Sequence, residues 1–397
     1  MKGKRILLGI TGGIAAYKIA FLIRLLKKKE AEVKCIMTPA SCDFISPLTI
    51  ATLSENPVSI EFWNKADGVW YNHVELGMWA DVFLIAPLTA STLSKIANGQ
   101  SDNLLTATYL SAKCPVFAAP AMDLDMYAHP STERNISLLR KDGVAIIPAE
   151  YGSLASGLVG QGRLSEPETI AAVLEDFFNL AEQFTGKKVL ITAGPTYEKI
   201  DPVRFIGNLS SGKMGYYIAD ELLKRGAEVI LISGPTKEQL QHSKLHLIAV
   251  ESALEMYEAV QEHWKQADAG VFAAAVADYR PAEKKEQKIK KSEDTMTIEL
   301  VKNPDILKWA GENKKSHQLL AGFALETNNA VEHAMEKLRK KNLDFIVVNT
   351  LEDEGAGFGV DTNLIKIADK NNKIISFELK PKRDVAKDIV NHLKSLL

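Results

Sequence analysis

The chain has 397 residues, enough for two or three domains. Its 48 basic and 50 acidic residues nearly cancel, which argues against a nucleic-acid surface as its main partner. Three scattered cysteines (Cys35, Cys42, Cys114) do not make a disulfide framework or a zinc site. The basic start and short apolar run of the N-terminus are interrupted by glycines, unlike a signal peptide. No window approaches the ~20 apolar residues of a membrane span. These features lead us to expect a cytoplasmic protein without nucleic-acid or membrane partners.

Residues 5–10 (RILLGI) read as a buried strand, Thr11-Gly12-Gly13 as a tight turn, residues 14–28 as an amphipathic helix and residues 32–37 as a second strand. This βαβ unit lacks the GxGxxG dinucleotide fingerprint. Residues 82–86 and 116–119 continue the strand series. The hydroxyls Thr11, Thr38, Thr89, Ser91 and Thr92 fall at the carboxyl ends of expected strands, where open parallel sheets bind ligands. A helix over 166–180 and a short polar joint at 182–186 close the first half.

The second half restarts with an apolar strand at 189–192, broken by Gly194-Pro195, then a loop of small polar residues and a helix opening near Lys213. The run Gly207 to Lys213 imitates a Walker A loop. It lies some fifteen residues beyond its strand, however, and Met214 stands where a magnesium-binding hydroxyl is needed, so we reject a P-loop. Strands follow at 229–232, 247–250, 269–274, 297–300, 319–323 and 345–348, with helices at 252–264 and 327–341. A hairpin of 363–368 and 373–378 precedes a last helix from about Asp384. Charged residues 281–292, including Lys288-Ile289-Lys290-Lys291, form a clamp if a triphosphate lies beside them. Lys337 and Lys341 share a helix face at i, i+4. The fold class expected is α/β: two Rossmann-like parallel-sheet domains in tandem (1–186 and 187–397), the second with an added antiparallel C-terminal hairpin.

In the first half, Gly12-Gly13-Ile14, His73, the run Pro87-Leu-Thr-Ala-Ser-Thr92 and Pro120-Ala-Met-Asp-Leu-Asp-Met126 together resemble the flavin-containing cysteine decarboxylases. The resemblance implies FMN held by Gly12, Gly13, Ile14, Thr38, Thr89, Ala90, Ser91, Thr92 and Met122. It implies His73 as base, and Asp123 and Ser156 as catalytic positions. Two departures stand out. Asp123 replaces the family's asparagine, exchanging a donor for an acceptor opposite a substrate carboxylate. Ser156 replaces a proton-donating cysteine with a far weaker acid. An alternative is therefore an active ligase whose flavin half is catalytically impaired and serves as an oligomerisation or binding module.

In the second half, AGPT, DPVRF, the run Asn208 to Gly215, AAVADY, KIKK, KNPDIL, GFALET and the basic helix are similar to bacterial phosphopantothenate–cysteine ligases. In order, the two halves resemble the bifunctional decarboxylase–ligases of coenzyme A synthesis. That implies CTP bound by Asp278, Lys288, Pro304, Asp305, Ile306, Leu307, Phe323, Lys337 and Lys341, with Mg2+ at Asp278. Phosphopantothenate would meet Arg204 and Asn208, and Asn208 and Lys288 would act in acyl-cytidylate chemistry. Flavin trimers and ligase dimers, combining into a dodecamer, are the implied assembly.

Overall fold

The computed structural model describes residues 1–63, 68, 70–289, 296–326, 330–350 and 360–397. It forms two compact units, Met1–Asn179 and Leu180–Leu397. No helix among the described residues is long and apolar enough to cross a membrane.

The first unit is built on strands β1 (Arg5–Ile10), β2 (Glu32–Met37), β3 (Val58–Ser59), β4 (Val82–Leu88), β5 (Val116–Pro120) and β6 (Ala145–Ile146). They lie in the order β3-β2-β1-β4-β5-β6, all parallel. β1 and β4 are buried on both faces, which explains their unbroken apolar sequences. Helices α1 (Lys18–Lys28), α2 (Pro47–Ser54), α3 (His73–Trp79), α4 (Ala90–Ala97), α5 (Leu104–Ser111), α6 (Leu124–Ala128), α7 (Pro130–Lys141) and α8 (Pro167–Ala181) accompany the sheet. One face packs Leu22, Ile23, Leu26, Ile170 and Leu174, and the other packs Leu93, Ile96, Leu105, Ile136 and Leu139. The expected helix over 14–28 begins instead as a 3₁₀ turn, Ile14–Tyr17, before α1. Residues 150–163 form an antiparallel hairpin of β7 (Glu150–Ser153) and β8 (Val159–Arg163).

The second unit contains β9 (Lys188–Ala193), β10 (Tyr197–Lys199), β11 (Phe205–Gly207), β12 (Glu228–Ser233), β13 (Leu245–Ala249), β14 (Ala269–Phe272), β15 (Tyr279–Pro281), β16 (Leu300–Lys302), β17 (Leu319–Glu326), β18 (Phe345–Thr350), β19 (Thr362–Asn363), β20 (Lys366–Asp369), β21 (Ile374–Ser376) and β22 (Lys380–Pro381). Eight of these form one sheet, β13-β12-β9-β14-β17-β18-β20-β21. It is parallel up to β18, and the β20–β21 hairpin then adds two antiparallel strands. Helices α9 (Lys213–Lys224) and α13 (Lys382–Leu396) cover one face. Helices α10 (Ala253–His263), α11 (Ile306–Glu312) and α12 (Ala330–Lys340) cover the other. The strand expected at 297–300 is displaced to β16, because its pairing partner is the three-residue β15. Of the helix expected at 327–341, residues 327–329 lie outside the described residues.

Candidate active sites

In each unit the strand order reverses once along the sheet, between β1 and β4 and between β9 and β14. Such a switch point opens a crevice at the carboxyl ends of the strands. A cavity lies there in both units.

The cavity of the first unit is about 610 Å3. Gly12, Gly13, Ile14, Thr89, Ala90, Ser91, Met122 and Asp123 line it. The Thr11 hydroxyl ties the two strand ends together: it donates to the Pro87 carbonyl at 2.6 Å and accepts from the Thr89 N–H at 3.1 Å. A Cβ on Gly12 would stand 2.8 Å from Ala40, so only glycine lets these loops approach. Thr38 Oγ1 is buried without a hydrogen-bond partner. A buried hydroxyl so placed needs an acceptor or donor.

Sequence reasoning missed several lining residues. Tyr17, Lys18, Met126, Leu154 and Arg163 also face this cavity. Buried Lys18 donates to the Leu164 carbonyl and to Glu166, both at 3.0 Å, and Glu166 also pairs with Arg163. The GQGR segment was the available signal for Arg163. Lys18 reads in the sequence as an ordinary helix lysine.

Four expected residues, Thr38, Thr92, His73 and Ser156, are not among those lining the cavity. Thr92 is buried in α4. His73 opens α3 behind the Asn72 cap, with Phe62 and Trp70 edge-on to its ring at 6.2 and 6.3 Å, and its Nδ1 is buried without a partner. Ser156 is exposed in the β7–β8 turn, whereas its neighbours Ser153, Leu154 and Ala155 face the cavity. Asp123 caps α6, accepting from the Leu124 N–H at 2.6 Å. Asparagine caps a helix equally well, so the local backbone does not discriminate between the two. No cysteine lines either cavity. Burial pushes the Cys35 thiol up to about 12, which keeps it unreactive.

The second cavity is about 280 Å3 and brings together Asp278, Pro304, Asp305, Ile306, Leu307, Phe323, Lys337 and Lys341. Lys337 donates to the Phe323 carbonyl at 2.8 Å. Lys341 pairs with Asp305 at 2.8 Å, and Asp305 caps α11 by accepting from the Lys308 N–H at 3.0 Å. Burial pushes the Asp305 carboxyl up, but Lys341 and the Lys308 N–H outweigh it and hold it below its ordinary value. Among the described residues no cluster of three or more His, Cys, Asp or Glu could hold a metal ion. Asp278 shares this cavity with one other carboxylate, Asp305, which Lys341 already holds.

Asn208 follows β11 and donates through Nδ2 to the carbonyls of Ala275 (3.1 Å) and Val276 (3.0 Å), at the end of β14. The loops after β9 and β12 touch here: a Cβ on Gly194, which has φ +77°, would lie 2.9 Å from the Gly234 carbonyl oxygen. In the imitation Walker A loop, Gly212 packs against Gly194 and Thr236 where α9 begins, while Gly207, Asn208, Leu209 and Ser211 are exposed. Lys288 is exposed and outside the cavity lining, and Lys290 and Lys291 lie outside the described residues. Arg204 is engaged by Asp201 and the Ile289 carbonyl.

Residues 1–179 match the family model described as Flavoprotein, and residues 184–397 match the DNA/pantothenate metabolism flavoprotein C-terminal domain. The coenzyme A biosynthesis bifunctional protein CoaBC of Bacillus subtilis (strain 168) is 43% identical over 398 residues, covering 100% of this chain and 98% of its own length. The chain belongs to the CoaBC family. The CoaBC protein of Haemophilus influenzae Rd is 44% identical, over 99% of this chain and 98% of its own. A cysteine/cysteine sulfinic acid decarboxylase from an unknown prokaryote is 49% identical, over 89% of this chain and 99% of its own.

Proposed function

We propose that the chain performs two consecutive steps of coenzyme A biosynthesis. The half spanning 187–397 ligates 4'-phosphopantothenate to L-cysteine using CTP. The half spanning 1–186 decarboxylates the resulting 4'-phosphopantothenoylcysteine to 4'-phosphopantetheine. The observation that carries this reading is that one chain, related to CoaBC proteins along its length, holds two strand-end cavities of different character. One is wide and mainly apolar, with glycine N–H groups and hydroxyls at one end. The other is smaller and carries two ammonium groups on one helix face.

In the ligase half, Lys337, Lys341 and Lys288 offer cations to the triphosphate, and Asp278 contributes one ligand to a Mg2+ held chiefly by phosphate oxygens. Pro304, Ile306, Leu307 and Phe323 form the nucleoside wall. A carboxylate oxygen of phosphopantothenate attacks the α-phosphorus of CTP, the bond to the β-phosphate oxygen breaks and pyrophosphate leaves. The cysteine amine then attacks the acyl carbon of the acyl-cytidylate, releasing CMP. The Ala275 and Val276 carbonyls engage Asn208 Nδ2, and its Oδ1 is an acceptor suited to the N–H of the attacking cysteine amine.

In the flavin half, Gly12, Gly13, Thr38, Thr89, Ala90, Ser91 and Thr92 suit the phosphate and ribityl chain of FMN. Ile14 and Met122 suit an apolar ring. The unpartnered Thr38 hydroxyl and the glycine-only approach at Gly12 fit such a group. When bound, FMN supplies a two-electron acceptor and donor. Asp123, beside Met122, faces the substrate carboxylate, His73 is the base, and Ser156 rides on the hairpin at the cavity edge. Self-association is part of this proposal. Ile14, Tyr17, Phe21 and Met126 are exposed apolar residues in and near the cavity wall, and His73 lies outside the lining. A neighbouring copy that covers those residues can present its own His73. Trimers of the flavin half and dimers of the ligase half, combined into a dodecamer, are the assembly proposed.

A merely structural flavin half is not favoured, since relatives over nearly the whole chain bear decarboxylase and bifunctional names. The 49% identical relative also favours a second reading, in which the flavin half accepts free cysteine or cysteine sulfinic acid. Carbon dioxide release from each compound alone tests that reading. For the main reading, the purified protein is expected to be yellow and to release CMP only when phosphopantothenate, cysteine and CTP are all present. A colourless protein, or CMP release without cysteine, contradicts it.

A further inference from the structure

The turn between β10 and β11 holds the loop that carries Lys288. Asp201 is fully buried there, and its carboxylate accepts five hydrogen bonds. Oδ1 receives the N–H groups of Val203 (2.8 Å) and Arg204 (2.9 Å). Oδ2 receives Arg204 Nε (3.0 Å), Arg204 Nη2 (2.6 Å) and the Ile289 N–H (3.2 Å). Arg204 Nη2 also donates to the Ile289 carbonyl at 2.9 Å. Both polar backbone groups of Ile289, the residue after Lys288, are therefore held by one ion pair. The Lys285 N–H donates to the Ile200 carbonyl at 3.0 Å, fixing the other end of the segment. The same ribbon continues from β11 into Asn208, which is pinned to the end of β14.

We propose that Asp201 and Arg204 are positioning residues for ligation: together they latch residues 285–289 onto the β10–β11 turn and so set where the Lys288 ammonium stands. This rests on the role given to Lys288 above, and it replaces direct phosphopantothenate binding as the task of Arg204. An exposed lysine on a polar loop samples many positions, and restricting it lowers the cost of bringing its charge to the triphosphate. The guanidinium suits the task because its planar fork spans the carboxylate and the Ile289 carbonyl together, which an ammonium cannot do.

The test is a double-mutant cycle on the full-length protein, read by CMP release. Asp201→Asn and Arg204→Lys are each expected to lower kcat by about 10²-fold, the scale of a roughly 1 Å misplacement, with KM for phosphopantothenate unchanged. Either change made on top of Lys288→Ala is expected to cost less than about twofold, because the latch acts through Lys288. Trypsin is expected to cut after Lys285 and Lys288 at least about tenfold faster in both variants, at a thermal midpoint that for Arg204→Lys stays within a few degrees of the parent. Full additivity with Lys288→Ala overturns the latch, as does a selective rise in KM for phosphopantothenate at unchanged kcat. If Lys288→Ala itself leaves CMP release intact, the assignment of Lys288 fails and the latch proposal falls with it. That outcome is distinguishable from a crippled Lys288→Ala with additive losses, which refutes the latch alone.

Discussion

The two units place their cavities at the same point of the same topology, yet equip them differently. In the first, β1 and β4 end in hydroxyls and glycines, and the fixed geometry serves close approach: Thr11 ties the strand ends and Gly12 lies against Ala40. In the second, the walls carry side-chain charge, with Lys341 held by Asp305 and Lys337 by a carbonyl. A site whose chemistry comes from a bound flavin needs shape and close backbone approach, and the two cations in its wall, Lys18 and Arg163, are both paired with Glu166. A site that handles a triphosphate needs cations already in place, because reorganising them during the reaction costs rate. A shared architecture therefore does not predict which substitutions are harmful, and changes in charge and in shape should separate the two activities.

The largest effect is expected from Lys288→Ala, which should cut CMP formation by about 10²–10³-fold while flavin content and carbon dioxide release from supplied phosphopantothenoylcysteine stay unchanged. Parallel losses in both activities would dissolve the contrast. Gly12→Ala is the converse: its Cβ meets backbone at 2.8 Å, and flavin affinity should fall at least tenfold, about 1.4 kcal/mol, in a flavin titration, with CMP release intact. Lys341→Met should raise KM for CTP about tenfold, the scale of one charge-assisted hydrogen bond, with little change in KM for cysteine. The smallest effect concerns acid stability. The Asp305 carboxyl sits below its ordinary value in the folded protein. Its pairing therefore stabilises the fold above the unfolded value of about 3.9 and is lost as pH falls through the lower folded value. Asp305 is part-exposed, so Asp305→Asn should remove less than about 1 kcal/mol at pH 7, and the difference should vanish in acid-unfolding curves once pH has fallen through the lowered folded value.

Much of the fold was legible because buried parallel strands announce themselves. RILLGI and KVLITA are apolar on both faces and end in residues that break a strand, so strand ends and site loops could be placed together. Most of the expected CTP residues meet in one cavity: Asp278 and Pro304 flank the paired β15 and β16, Phe323 lies within β17, and the i, i+4 lysines share a helix face. What stayed hidden depends on contacts between distant segments. Nothing near Arg204 announces that its guanidinium is shared between Asp201 and a carbonyl 85 residues on. The β7–β8 hairpin is mostly exposed and rich in glycine, so it carries no apolar alternation to read. The displacement of β16 follows from its three-residue partner, which only the tertiary structure supplies. His73 and Ser156 lie outside the cavity of their own unit, and a pattern of residues along one chain does not say which copy completes a site.

The most direct test of two working halves on one chain is a single reaction. The purified full-length protein is incubated with 4'-phosphopantothenate, L-cysteine, CTP and Mg2+, and CMP, carbon dioxide and pantothenate-derived products are measured over time. Equal amounts of CMP and carbon dioxide, with 4'-phosphopantetheine as the end product, are predicted. CMP with phosphopantothenoylcysteine accumulating and no carbon dioxide would contradict the account.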